Sequence, residues 1–266
     1  MKKITITLSI LFIINLSFSQ VGGLSASKLG TYCVETVPAQ AIEFEPAFSF
    51  ASTTSYFNQD GDVYDLFMSD DSIQHFASTG FRFSYGLFKN FEIGVTIPVD
   101  ISTLSLGIKY KLPIDSKVEF GLMAGYNGIY GNDVYVKRNS VHESTSAYAF
   151  GLIVSYPFSE KLSADFNAQY QTHINKTVTN HKEGIYLSSD IGYYLFENIN
   201  FITGFSYSFR NNDDDNLNSY LFTLNPGIAI EKAERFILVL NSPIDLFGKN
   251  EYKTTGFGLA LTILLN

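Results

Sequence analysis

The feature that most restricts how this chain can fold is an alternation with a period of two residues. Between Leu162 and His173, the residues Leu162, Ala164, Phe166, Ala168, Tyr170 and Thr172 fall on one face. Ser163, Asp165, Asn167, Gln169, Gln171 and His173 fall on the other. Successive side chains of a β-strand point to opposite faces, so such a split defines a strand with one apolar and one polar side. The same split recurs over residues 184–195 and 199–210. Extended along the chain, this template predicts twelve strands. They are 41–53, 75–87, 91–98, 103–112, 117–130, 145–157, 161–173, 184–195, 199–210, 219–231, 235–241 and 252–265. After residue 20 there is no apolar run of 18 residues, so a crossing by α-helix is not expected.

Alternation alone also suits a soluble sandwich or barrel, and the polar face decides between them. Charged residues make up 17% of the chain, below the roughly 25% of an average soluble domain. The polar sides of the strands carry mainly Gly, Ser, Thr, Ala and Asn with single charges, too mild for the exterior of a soluble protein. We therefore read the apolar face as turned to lipid. Most strands are near the 9–11 residues that a tilted strand needs to cross the hydrocarbon layer. Links after every second strand are short, at residues 88–90, 113–116, 158–160, 197–198 and 232–234. Those between are longer and polar, at 58–73, 131–144, 174–183, 211–218 and 241–251, with 99–102 as a short exception. Tight periplasmic turns and longer extracellular loops are the habit of outer-membrane barrels. The expected fold is all-β, a transmembrane antiparallel up-and-down β-barrel of about twelve strands, closed by pairing of the first and last because lipid cannot satisfy a sheet edge. With no Trp among the aromatics, Tyr126, Tyr130, Tyr156, Tyr170 and Tyr193 near strand ends would form the interfacial girdles.

Residues 1–19 read as a secretory signal peptide: Lys2-Lys3, an apolar stretch to Leu16, then Ser17-Phe18-Ser19, with the mature chain starting at Gln20. Cys33 lies too far downstream to be a lipidated first residue, and as the sole cysteine it rules out an internal disulfide. Residues 20–40 form an N-terminal periplasmic extension or a small plug, and we read them as a flexible lead. Residues 41–266 form the barrel. The expected location is the outer membrane of a Gram-negative-type bacterium.

The hairpin Phe81-Arg82-Phe83-Ser84-Tyr85-Gly86-Leu87-Phe88-Lys89-Asn90-Phe91-Glu92-Ile93-Gly94-Val95-Thr96-Ile97-Pro98 resembles that of the outer-membrane family named for the meta-pathway of phenol degradation. Leu104-Ser105-Leu106-Gly107-Ile108-Lys109-Tyr110-Lys111-Leu112 is similar to its next strand, and Glu43-Phe44-Glu45-Pro46 to its entry strand. The resemblance is best over residues 41–126. Asp100-Ile101-Ser102-Thr103 departs from it, standing where a Gly-rich segment with an Asp would be expected. The resemblance implies a channel or transporter passing small molecules, hydrophobic ones among them, by passive diffusion.

With the polar face inward, Glu43, Glu45, Arg82, Glu92, Lys109, Lys111, Lys117, Glu119, Asp165, Asp190 and Arg210 would line the lumen. They would act either as a selectivity lining or as mutually neutralising pairs that brace a narrow barrel. A closed structural or surface-binding barrel working through its loops is the alternative function. A barrel-type lipase is more remote, since His142-Glu143-Ser144 places base and nucleophile side by side in a loop without the geometry acyl transfer needs. His173 with His181 supplies only two metal ligands, and neither Asp60-Gly61-Asp62 nor Asp213-Asp214-Asp215 has EF-hand spacing. No catalytic residue, metal or cofactor is therefore assigned. The net charge of −8 argues against nucleic acid. The partners expected are outer-membrane lipid, a small solute and the barrel-assembly machinery.

Overall fold

The computed structural model describes residues 21–25, 29–67, 72–99, 103–129, 146–173, 181–212, 214–232 and 235–265. The stretch predicted to be a signal peptide and its expected cleavage site lie outside the described residues, as do Tyr130, the predicted loop 131–144 with His142-Glu143-Ser144, and residues 174–180.

The strands are β1 (Ile42–Phe57), β2 (Val63–Asp65), β3 (Gln74–Phe88), β4 (Phe91–Pro98), β5 (Thr103–Lys111), β6 (Glu119–Ile129) and β7 (Ala147–Pro157). They continue as β8 (Leu162–His173), β9 (His181–Phe196), β10 (Ile199–Asn212), β11 (Ser219–Lys232), β12 (Phe236–Asn241), β13 (Ile244–Lys249) and β14 (Glu251–Leu265). All belong to one antiparallel sheet, and β14 returns to pair with β1, with Ile42 opposite Leu265 and Phe57 opposite Glu251. The strip is thereby a closed barrel with no open edge. β2 is a short arm on the far end of β1, and β12 and β13 lie end to end between β11 and β14. The wall thus has twelve staves.

One expectation fails in the wall. Residues 241–251, predicted as an extracellular loop, contain β13 and complete the eleventh stave. The stave is broken at Ser242-Pro243, opposite Pro226 of β11. Pro226 has no N–H to give, although its carbonyl still accepts one from Ser242 at 2.9 Å. Pro243 has none either, and the Ser242 hydroxyl donates to the Gly256 carbonyl at 3.0 Å instead. Beyond the break the register slips by one residue, so that Leu246 and Phe247 both face outward. A stave with a proline at its break, another proline facing that break from β11, and a bulge in its second half loses the period-two signature. β1 and β9 also outrun their predicted ends, each reaching 16 residues. That exceeds the 9–11 needed to cross, so both project beyond the layer at the long-loop end. At the opposite end the β3–β4 turn closes on Lys89-Asn90, with Asn90 in the left-handed region at φ 67°.

Burial is inverted relative to a soluble barrel. Phe150 is 56% exposed on the outside, while Asn167 and Asn200 are fully buried on the inside. Along β8 the outward Phe166 and Tyr170 are exposed and the inward Asp165, Asn167 and Gln169 are buried. An apolar exterior around a polar interior is stable where the surroundings are hydrocarbon.

Candidate functional site

The interior of the barrel is occupied by the chain's own N-terminal segment. Residues 21–25 and 29–40 run inside the wall rather than hanging from β1 as a free lead. From β1 the chain passes the short-turn end, where Gln40 N–H donates to the Gly86 carbonyl at 2.7 Å. Residues 29–34 contact β7–β12, and residues 21–25 lie against β3–β6 and reach Gln169 of β8. The segment has no ladder of its own, and wall side chains satisfy its main chain instead. The N–H groups of Val21, Gly23, Ser25 and Leu29 go to Gln169 Oε1, Thr96 Oγ1, Glu92 Oε1 and Asp190 Oδ2 at 2.7–3.1 Å. Those of Thr31, Tyr32, Val34 and Val37 go to Asp190 Oδ2, Asn167 Oδ1, Ser155 Oγ and Glu92 Oε2 at 2.7–3.4 Å. Asn167 also donates from Nδ2 to the Tyr32 carbonyl at 2.8 Å, reading both main-chain groups of one residue as a neighbouring strand would. Each such bond is worth about 0.5–1.5 kcal/mol net.

Apolar side chains fill what remains. Val21, Leu24, Tyr32 and Val34 pack with Met123, Ala149 and Ile153, and Leu29 joins a second cluster with Ile202, Ala229 and Val239. Through these partners the segment is tied to every stave from β3 round to β12.

The wall is hollowed to admit it. Ser84, Gly94, Gly107, Gly125 and Ala149 stand opposite one another in register on five successive staves. A Cβ added to Gly94 would lie 1.6 Å from the Gly23 carbonyl oxygen, and one on Gly107 would lie 2.2 Å from that of Gly22. Gly23 itself has φ +80°, a conformation that L side chains rarely adopt.

The charges anticipated in the lumen are distributed as follows. Glu92 and Lys109 form a fully buried ion pair at 3.3 Å. Both bind the segment: Glu92 accepts from Ser25 and Val37, and Lys109 Nζ donates to Ser25 Oγ at 2.7 Å and to the Cys33 carbonyl at 3.2 Å. Arg82 reaches Glu43 and Glu45, each at 2.7 Å, and Glu45 also accepts from Thr262 Oγ1 of β14, so this cluster straddles the closing seam. Lys111 pairs with Glu119 at 2.6 Å and Arg210 with Glu251 at 2.5 Å. Asp165 accepts from Ser155 Oγ at 2.5 Å and stands directly opposite Asp190. Lys117 departs from the expectation, because it lies in the exposed turn before β6 and donates to the Phe158 carbonyl at 3.3 Å. That turn interrupts the alternation on which its inward assignment rested.

Several working residues escaped the sequence reading. Thr96, Ser155, Asn167 and Gln169 are uncharged and were counted only as a polar face. Asp245, which accepts from Thr223 and Thr254, lay in the misread loop. Desolvation inside the barrel pushes the Cys33 thiol up to about 12, with the Lys109 ammonium opposing it only in part. Among the described residues no group of three or more His, Cys, Asp or Glu could hold a metal ion. His75 stacks on Phe50 at 5.4 Å, and Asp60 and Asp62 flank a turn whose N–H groups bond to Asn58 Oδ1.

Fold and site together define a closed twelve-stranded membrane-type barrel whose interior is filled by its own N-terminal segment. The chain is similar in fold to an outer membrane channel from Pseudomonas putida F1, with a TM-score of 0.64 and 11% identity over 87% of this chain and 98% of that one. It is also similar to the NanC porin, with a TM-score of 0.56 and 7% identity over 83% of this chain and 98% of that one. No protein-family model and no curated protein matches the sequence.

Proposed function

We propose that the protein is an outer-membrane channel for small molecules, and that residues 21–40 hold its pore closed in the state described above. The observation that carries this reading is the way the segment is held. Its main chain is bonded to side chains of the wall, and the wall opposite it is reduced to Ser, Gly and Ala, so the lumen is built around a removable part. A pore-lining strand in contact with water alone has no need of three glycines in register, which weaken a strand. That the two structures of similar fold are an outer membrane channel and a porin supports the same reading. On this reading passage is by diffusion down a gradient.

The second reading is a permanently closed barrel that acts through its loops, favoured by the reach of the segment around the lumen. Planar-bilayer conductance separates the two. The channel reading expects rare openings in the wild-type protein and frequent ones in Gly94→Val, where the new side chain takes the place of the Gly23 carbonyl. A folded Gly94→Val barrel with the segment displaced and no conductance would leave the closed barrel as the function.

A further inference from the structure

We infer that the solute is a short peptide with small or apolar side chains, and that residues 21–40 act as its tethered substitute. The inference rests on the channel reading and adds the class of substrate to it.

The lumen is equipped to read a polypeptide main chain. Acceptors on the wall take N–H groups from the segment at Glu92, Asn167, Gln169 and Asp190. Donors on the wall take its carbonyls: Ser84 Oγ binds that of Gly23 at 2.8 Å, Lys109 Nζ that of Ser25 at 3.1 Å, and Asn167 Nδ2 that of Tyr32 at 2.8 Å. These contacts are indifferent to the side chains of the bound segment. Side chains are sorted separately, by the apolar pocket around Met123 and Ile153 and by the second one around Ile202 and Val239. Main-chain bonds for affinity with alternate pockets for side chains is the division of labour of peptide-binding grooves. When the segment leaves, Ser84, Asn167, Gln169 and Asp190 turn the groups that held its main chain to the lumen, while Glu92 and Lys109 keep their pairing with each other.

A tethered segment competes at an effective concentration in the millimolar range, so a free peptide must be supplied at that level or the segment must be displaced. The test uses the full chain. In Gly94→Val, and in Gly107→Val as an independent route to the open state, the probe is the tetrapeptide acetyl-Ala-Val-Ala-Val-amide in planar bilayers. The expected result is concentration-dependent interruption of the current. Block should weaken at least tenfold when every probe amide is N-methylated and by about tenfold in the Asn167→Leu background, while raffinose at the same concentration gives none. In the wild-type protein, which needs no opening substitution, millimolar tetrapeptide should accelerate alkylation of Cys33 and its N-methylated analogue should not. Equal block by the N-methylated peptide or by raffinose, or no change in Cys33 alkylation, overturns the peptide assignment and leaves the channel reading standing. Absence of current in both folded glycine variants, with faster Cys33 alkylation showing the segment displaced, overturns the channel reading itself, and the peptide assignment falls with it.

Discussion

Substitution of Gly94 by valine tests whether the segment and the pore wall compete for one volume. Valine suits a β-strand and should leave the pairing of β4 with Ser84 and Gly107 on either side intact. Its Cβ, however, would stand 1.6 Å from the Gly23 oxygen, and real Cβ atoms essentially never come within 3.0 Å of such an atom. The wall is held on both sides, so the segment must retreat by more than an ångström. A shift of that size breaks the Gly23 N–H bond to Thr96 and the Ser84 bond to the Gly23 carbonyl, both 2.8 Å. Two bonds at about 0.5–1.5 kcal/mol each, with about 1–3 kcal/mol of overpacking, give a cost of about 2–6 kcal/mol. Every 1.4 kcal/mol is tenfold, so the open fraction should rise roughly 30-fold or more. Two assays read it: open probability in planar bilayers, and the rate of Cys33 alkylation at neutral pH, where the half-buried thiol of the wild-type protein, its ionisation opposed by desolvation, reacts slowly. A heat-modifiable, correctly folded Gly94→Val barrel in which both quantities stay within twofold of wild type would refute the competition on which the gating argument depends.

Lys109→Met should destabilise the barrel by about 3–5 kcal/mol, because it leaves the Glu92 carboxylate buried without its cation. Adding Glu92→Gln should restore part of the loss, and equal denaturation midpoints for the single and double variants would count against the pairing. Leu152→Arg places a charge on the outward face of β7 and should cost about 2–4 kcal/mol in folding into bilayers, whereas a tolerant response would contradict the lipid-facing assignment. The open pore of Gly94→Val should prefer cations, since Asp190 and Asp245 stand in none of the described ion pairs while Glu43, Glu45, Glu92, Glu119 and Glu251 are each paired with a cation. A reversal potential near zero in a KCl gradient would count against that, and Asp190→Asn should reduce the preference.

The wall was legible in the sequence because its stability comes from a local rule. Each stave must show hydrocarbon one face, so the alternation survives wherever the stave is continuous, as in Leu162–His173. The rule failed where the backbone itself changes, at the Ser242-Pro243 break and at the Leu246 bulge, and Asp245 was lost with it. The segment was not legible for a different reason. It has no period, because its main-chain partners are side chains up to 161 residues away, and isolated polar residues such as Asn167 and Gln169 give no sign of which partner they await. Yet a trace of it was present. Once the turn at Lys89-Asn90 fixes the register of β3 and β4, the strands that follow bring Gly94, Gly107 and Gly125 to one level on the inward face.

Glycine there runs against strand propensity and would leave a needless hollow in a wall facing only water. A hollow on successive staves is therefore a mould, and the piece that fits it must be narrow backbone with little side chain, as Gly22-Gly23 is. The charges follow the same logic. Pairs such as Lys111 with Glu119 can serve any barrel, but Glu92 and Lys109 are fully buried only because Ser25, Cys33 and Val37 surround them. Their burial is a property of the occupied lumen, so these two residues report directly on whether the segment is in place.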